Sequence, residues 1–179
     1  TAGSFMNECW GTRAFTEQEL IVAEEDLKAT RFTTFTQNFL RFNVLPGVLD
    51  WFDDYSAVVN NARQAARVAS AGGAAGILFD VEAYNGSLWN YAKQKGHQSK
   101  SFAAYAAQAE SGGAEVIRTF QEGWKAGGSP RPLVVFQTFG YSLPRQQAGG
   151  DRTKLAAQEY GLLAPFMDGT ALPSGARFT

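Results

Sequence analysis

The sequence predicts an α/β fold of repeated strand–helix units around a parallel sheet. Three observations carry this. Short apolar runs bounded by turn residues alternate with longer segments whose apolar residues recur every three to four positions. The run at 75–80 (AGILFD) is continuously apolar rather than alternating, which suits a strand buried on both faces. The order of segments then implies right-handed crossovers between parallel neighbours.

Residues 16–28 (TEQELIVAEEDLK) form the first predicted helix, capped by Thr16 with Glu19 three residues on as capping-box partner. The rest of the first 30 residues shows no clear period. Residues 37–44 (QNFLRFNV) read as a strand ended by Pro46-Gly47. Trp51-Phe52-Asp53-Asp54 is a loop rich in aromatics and acids. Residues 56–70 (SAVVNNARQAARVAS) are the clearest helix, with Val58, Ala62, Ala65, Ala66 and Ala69 on one stripe. Arg63 and Arg67 lie one turn apart beside it, and Gly72-Gly73 stops it.

The strand at 75–80 follows, then a polar loop with aromatics from 83 to 100. Residues 101–125 form a second long helix, with Tyr105, Ala109, Val116, Phe120 and Trp124 facing inward and Gly112-Gly113 expected to weaken or kink it. Residues 132–139 (PLVVFQTF) are a third strand and 140–151 a loop. A helix at 152–163 and a last strand at 166–172 complete the reading. An open doubly wound sheet and a (β/α) barrel both fit this order. A complete barrel takes ~250 residues, so the expectation is a partial or reduced (β/α)8 barrel. We expect one α/β domain over 1–179. Its ends read as cut, because Thr1 is not an initiator Met and Thr179 closely follows Pro173-Ser174-Gly175. An incomplete barrel would leave a sheet edge unpaired and invite a homodimer.

With 16 basic and 17 acidic residues, the net charge of −1 gives no electrostatic reason to expect nucleic acid or an anionic membrane as partner. No run of ~18 apolar residues spans a bilayer, and no signal peptide is visible. A soluble protein is expected, in the cytoplasm, the periplasm or outside the cell. Cys9 is the single cysteine and His97 the single histidine, which excludes an internal disulfide and a zinc centre rich in either residue. There is no GxGxxG, Walker loop or GxSxG elbow, so no cofactor is expected and an α/β-hydrolase is disfavoured.

In parallel α/β folds the loops after the strand C-termini build the site. The residues gathered there include Asn43, Asp80, Glu82, Gln137 and Thr138. Asp80 and Glu82 stand two apart and share a face if the strand continues that far. A protonated acid beside an ionised partner is the arrangement glycoside hydrolysis uses, so these two are the candidate catalytic residues. Candidate substrate-binding residues are Trp51, Asp53, Asp54, Tyr84, Asn85, Trp89, Gln137, Tyr141 and Asp168. Their amides, hydroxyls and aromatic faces suit a sugar. Trp10, Trp51 and Trp89 could form a stacking platform, although core packing is the default for any one of them. Arg41 lies inside a strand and could pair with an acid. Cys9 reads as a buried filler and His97 as a solvated loop residue.

The runs DLKATRFTTFTQNFLRFNVLPGVLDWFDDYSAVVNNARQAARVA, GILFDVEAYNGSLWNYAKQ, FQTFGYSLP and YGLLAPFMDG resemble a bacterial family of glycosyl hydrolase-like (β/α)-barrel proteins over residues 26–169. LFDVEAYNG is the most specific piece. The resemblance implies a glycosidase scaffold with the strand-end acids as candidate catalysts. Asp80 and Glu82 also match the last two acids of the chitinase-type signature DGxDxDxE, and Gly76 matches its glycine. Leu78 and Ala75 stand where that signature has Asp. On that analogy Glu82 would donate the proton and Asp80 would orient an acetamido group.

The leading expectation is therefore a hydrolase of glycosidic bonds using carboxylate general acid/base chemistry, with Glu82 as acid/base. Asp80, or else Asp53, Asp54 or Asp168, would be the second carboxylate. One alternative is a non-catalytic carbohydrate-binding protein or an inactive barrel fragment. Another is a metal-dependent lactone or phosphate-ester hydrolase, in which Asp53, Asp54, Asp80 and Glu82 hold a hard cation through oxygen.

Overall fold

The computed structural model describes residues 2–84, 86–138 and 142–171. Helix α1 (Ala2–Glu8) and helix α2 (Glu17–Ala29) precede strand β1 (Phe39–Asn43). Helix α3 (Ser56–Ala71), strand β2 (Gly76–Asp80), helix α4 (Phe102–Ala126) and strand β3 (Val134–Gln137) follow. Helix α5 (Ser142–Ala148), a 3₁₀ segment (Arg152–Ala157) and helix α6 (Leu163–Thr170) end the described chain. The result is a mixed α/β fold around a small parallel sheet of order β1-β2-β3. Register runs from Phe39 opposite Gly76 to Asn43 opposite Asp80, and from Gly76 opposite Val134 to Phe79 opposite Gln137.

The capping box of α2 forms as its sequence dictates. Glu19 N donates to Thr16 Oγ1 (3.3 Å), and Thr16 N donates to Glu19 Oε2 (2.9 Å). The small-residue stripe of α3 is buried throughout, at Ala62, Ala65, Ala66 and Ala69. Small side chains let α3 and α4 pack closely, and Ser70 Oγ donates to the Trp124 carbonyl between them (2.7 Å).

Successive strands step in one direction across the sheet, so right-handed crossovers place α3 and α4 on the same face. That face carries Phe42, Ile77 and Phe79, all buried. Phe120 of α4 meets Phe42 and Phe79 edge-on, with ring centroids 5.3 and 5.5 Å apart. Phe166 of α6 reaches Phe79 and Trp89 from the side (6.0 and 5.0 Å). The opposite face carries Phe39, Arg41, Leu78 and Phe136 and is only partly covered; Phe136 is 50% exposed.

Three expectations are corrected. Residues 166–170 are not a strand but part of α6. Leu163, Phe166, Met167 and Thr170 are buried at helical spacing, and Pro165 sits in the first turn, where a missing N–H is tolerated. The helix expected at 152–163 is a 3₁₀ segment followed by a turn before α6. Gly112-Gly113 does not interrupt α4, which runs unbroken for 25 residues. These glycines instead permit close approach. A Cβ on Gly113 would lie 2.0 Å from the Phe166 carbonyl, and one on Gly112 2.8 Å from the Trp51 ring.

Candidate active site at the sheet edge

Strand β2 delivers Asp80 to the C-terminal edge of the sheet, where it is 4% exposed. A carboxylate so placed needs partners, and it has three. Arg41, one strand over, donates through Nη2 to Oδ2. Thr138 Oγ1, just past β3, donates to Oδ1 (3.1 Å), and Glu82 N donates to the same oxygen (3.2 Å). All three strands therefore contribute to one cluster. The bond from Glu82 N folds the chain tightly as β2 ends, so the two acids do not simply alternate along a continuing strand.

Glu82 is half-buried and accepts the Tyr84 hydroxyl. Holding its proton against that carboxylate pushes the Tyr84 phenol up to about 12. Tyr84 as a residue is 57% exposed. The loop beneath is anchored from inside: Trp89 Nε1 donates to the Val81 carbonyl (2.7 Å), and Ala83 N donates to Tyr160 Oη (3.3 Å). Gln137 ends β3 half-buried beside this edge. Asn85 and Tyr141 lie outside the described residues.

Other candidates are placed elsewhere. Trp51 and Trp89 are 2% and 1% exposed and pack in the core, and Trp51 also borders a cavity between α3 and α4. Trp51 Nε1 donates to the Leu88 carbonyl (2.8 Å), and its ring stacks on Tyr55 (5.4 Å). Trp10 is fully buried as well. Asp53 accepts from Lys95 Nζ (2.6 Å) and from Asp50 N (2.8 Å); the ammonium first, then the amide, holds its carboxyl below the usual range. Asp54 accepts from Ser56 N (2.8 Å) and Ser56 Oγ (3.0 Å) at the start of α3, which lowers it likewise. Asp168 does not end a strand. It lies on α6 between Arg145 and Arg152 (2.9 Å to the latter).

Among the described residues no group of three or more His, Cys, Asp or Glu side chains is arranged to hold a metal ion. The hard-cation reading of Asp53, Asp54, Asp80 and Glu82 thus has no geometry behind it. Cys9 is buried, and its thiol donates to the Asn43 carbonyl (3.1 Å). Burial pushes this thiol up to about 11, far from nucleophilic use. His97 Nδ1 lies 2.8 Å from the Gln94 carbonyl and helps close its own loop.

Two contributors escaped sequence reasoning. Tyr160 supports the Glu82 loop from 77 positions away, and no local pattern announces that contact. A buried Asp50 holds Tyr105 Oη (2.8 Å), which in turn accepts from Gly96 N (3.0 Å) and ties the 91–100 loop to α4. The apolar run before Asp80 does form β2 and ends at that acid.

No helix among the described residues is long and apolar enough to cross a membrane. No protein-family model matches the chain, and no curated protein or solved structure is found to be similar to it.

Proposed function

We propose that this chain is a carbohydrate-active hydrolase that cleaves a glycosidic bond, with Glu82 as general acid/base and Asp80 as the orienting carboxylate. One observation carries the reading: a buried, three-point-held Asp80 stands beside a half-exposed, tyrosine-bonded Glu82 at the C-terminal edge of a parallel sheet. Asp80 uses three of a carboxylate's roughly four acceptor positions. The remaining one suits a sugar hydroxyl or an acetamido N–H. Glu82 meets solvent and exchanges protons with a leaving group. Tyr84 holds the Glu82 carboxylate in place through its hydroxyl while most of the residue stays in solvent. Asp53, Asp54 and Asp168 are each committed to other partners and are not assigned as the second carboxylate.

The sheet fits an arc of a (β/α) barrel. Sequential strand order with both crossover helices on one face is how such a barrel is wound, and the sparsely covered Phe39–Leu78–Phe136 face would be its interior. Further strands, from more chain or from a second copy, would complete it. The test compares wild type with Glu82→Gln on alkyl glycosides and polysaccharides, whose leaving groups need a proton. The proposal expects turnover by wild type and its loss in the variant with folding intact. Equal turnover in both, or none in either, would remove Glu82 from any such role.

A further inference from the structure

A cavity of about 490 Å³ lies apart from the sheet edge, between the first half of α3 and the middle of α4. Its size suits a small ligand. Ser56, Asn60 and Arg63 line it from α3, while Gln108, Ser111 and Glu115 line it from α4 at intervals of three and four. Its floor is aromatic, built from Trp51, Tyr55 and Trp10.

The floor holds an unfinished hydrogen-bond arrangement. Trp51, Trp89 and Trp124 each donate their indole N–H to a carbonyl at 2.7–2.8 Å. Trp10 is fully buried, yet its Nε1 has no hydrogen-bond partner, and the buried Tyr55 hydroxyl has none either. The two rings meet edge-on at 6.2 Å. Burial pushes the Tyr55 phenol up and the nearby Trp10 indole acts the other way, but the pair does not reach hydrogen-bonding geometry. Buried donors left this way are rare and costly.

We propose that this cavity binds a neutral mono- or disaccharide, one of whose oxygens accepts from Trp10 Nε1 and Tyr55 Oη after a small opening of the floor. The choice of a sugar rests on the carbohydrate reading above; the site itself does not. Hydroxyls both accept and donate, so they serve the floor donors and the rim carboxylates Asp54 and Glu115 together. Arg63, the guanidinium on the lining, already pairs with Glu122 (2.9 Å), and Asp54 adds negative charge, which together disfavour an anionic sugar. The donors at the floor disfavour a cation there.

The test is a ¹H–¹⁵N titration of the whole chain with glucose, galactose, N-acetylglucosamine and cellobiose, following the four indole N–H signals. The Trp10 signal should move, while those of Trp89 and Trp124 stay. Ser111→Trp, at an exposed position on α4, should fill the cavity and abolish the response. Tyr55→Phe keeps the stack on Trp51 and should weaken binding by up to about tenfold. Glu82→Gln should leave the Trp10 response unchanged. A Trp10 signal unmoved by every sugar, or a response that survives Ser111→Trp, overturns the proposal. Hydrolysis without a Trp10 response would sink this site and spare the enzymatic reading; a Trp10 response without hydrolysis would do the reverse.

Discussion

Arg41→Met tests whether the sheet edge is held as described. Methionine keeps an apolar stem on β1 and removes the guanidinium that bonds Asp80. The Asp80 side chain is 6% exposed and that of Arg41 43% exposed. A hydrogen bond to a charged group is worth ~1.5–3 kcal/mol, and breaking a fully buried pair costs ~3–5 kcal/mol. Arg41 is half in water, so the lower range applies and a loss of about 2 kcal/mol is expected. For a chain of this size each kcal/mol moves Tm by ~2–4 °C, giving a drop of about 4–8 °C. Urea unfolding of wild type, Arg41→Met, Asp80→Asn and the double variant closes a thermodynamic cycle, with tryptophan fluorescence as the signal. The coupling should be ~1–2 kcal/mol. A coupling under ~0.5 kcal/mol, the range of ordinary surface pairs, would refute the idea that Arg41 holds Asp80.

Gly113→Ala separates packing from propensity. Helix propensity alone predicts a gain of about 1 kcal/mol, whereas a Cβ 2.0 Å from the Phe166 carbonyl predicts a loss of ~1–3 kcal/mol, and the sign of the change in denaturation midpoint decides. Glu19 is pulled from 4.5 down to about 2, first by the Thr16 amide and then by Arg13. A depressed folded pKa means its contribution is complete above 4.5 and disappears as pH falls toward 2. Carboxyl NMR titration should find that low midpoint, and Thr16→Ala should raise it in part, because the hydroxyl that also donates to Glu19 Oε2 (3.0 Å) is lost while the amide stays. Tyr84 should ionise near 12 by ultraviolet titration and return toward 10 in Glu82→Gln, because the carboxylate that retains its proton is gone.

Local signals carried the sequence reading furthest. Thr16 with Glu19, the alanine stripe of α3 and the apolar run before Asp80 each specify their own structure within a few residues, and each element forms where those signals place it. The helix at the end was missed because Pro165 and Gly169 depress helix propensity there, while burial at positions 163, 166, 167 and 170 supplies the stability instead. Trp51 and Trp89 were read as loop aromatics near a site. Their true surroundings depend on α4 and α6 arriving from far along the chain, with Gly112 making room for the Trp51 ring. Asp80 was legible as a strand-end acid, and Arg41 as a cation needing a partner. That they bond each other follows from strand register, which neither segment encodes alone. The cavity between α3 and α4 was invisible for the same reason: Trp10, Tyr55 and Ser111 come from three separate stretches.

In the proposed role, Glu82 passes a proton to the departing group of a glycoside. Leaving-group dependence examines it most directly, because a good leaving group departs without protonation and a poor one does not. With Glu82→Ala, turnover of alkyl glycosides should collapse while that of dinitrophenyl glycosides is largely kept. Equal losses on both, or no loss on alkyl glycosides, would rule out Glu82 as the proton donor.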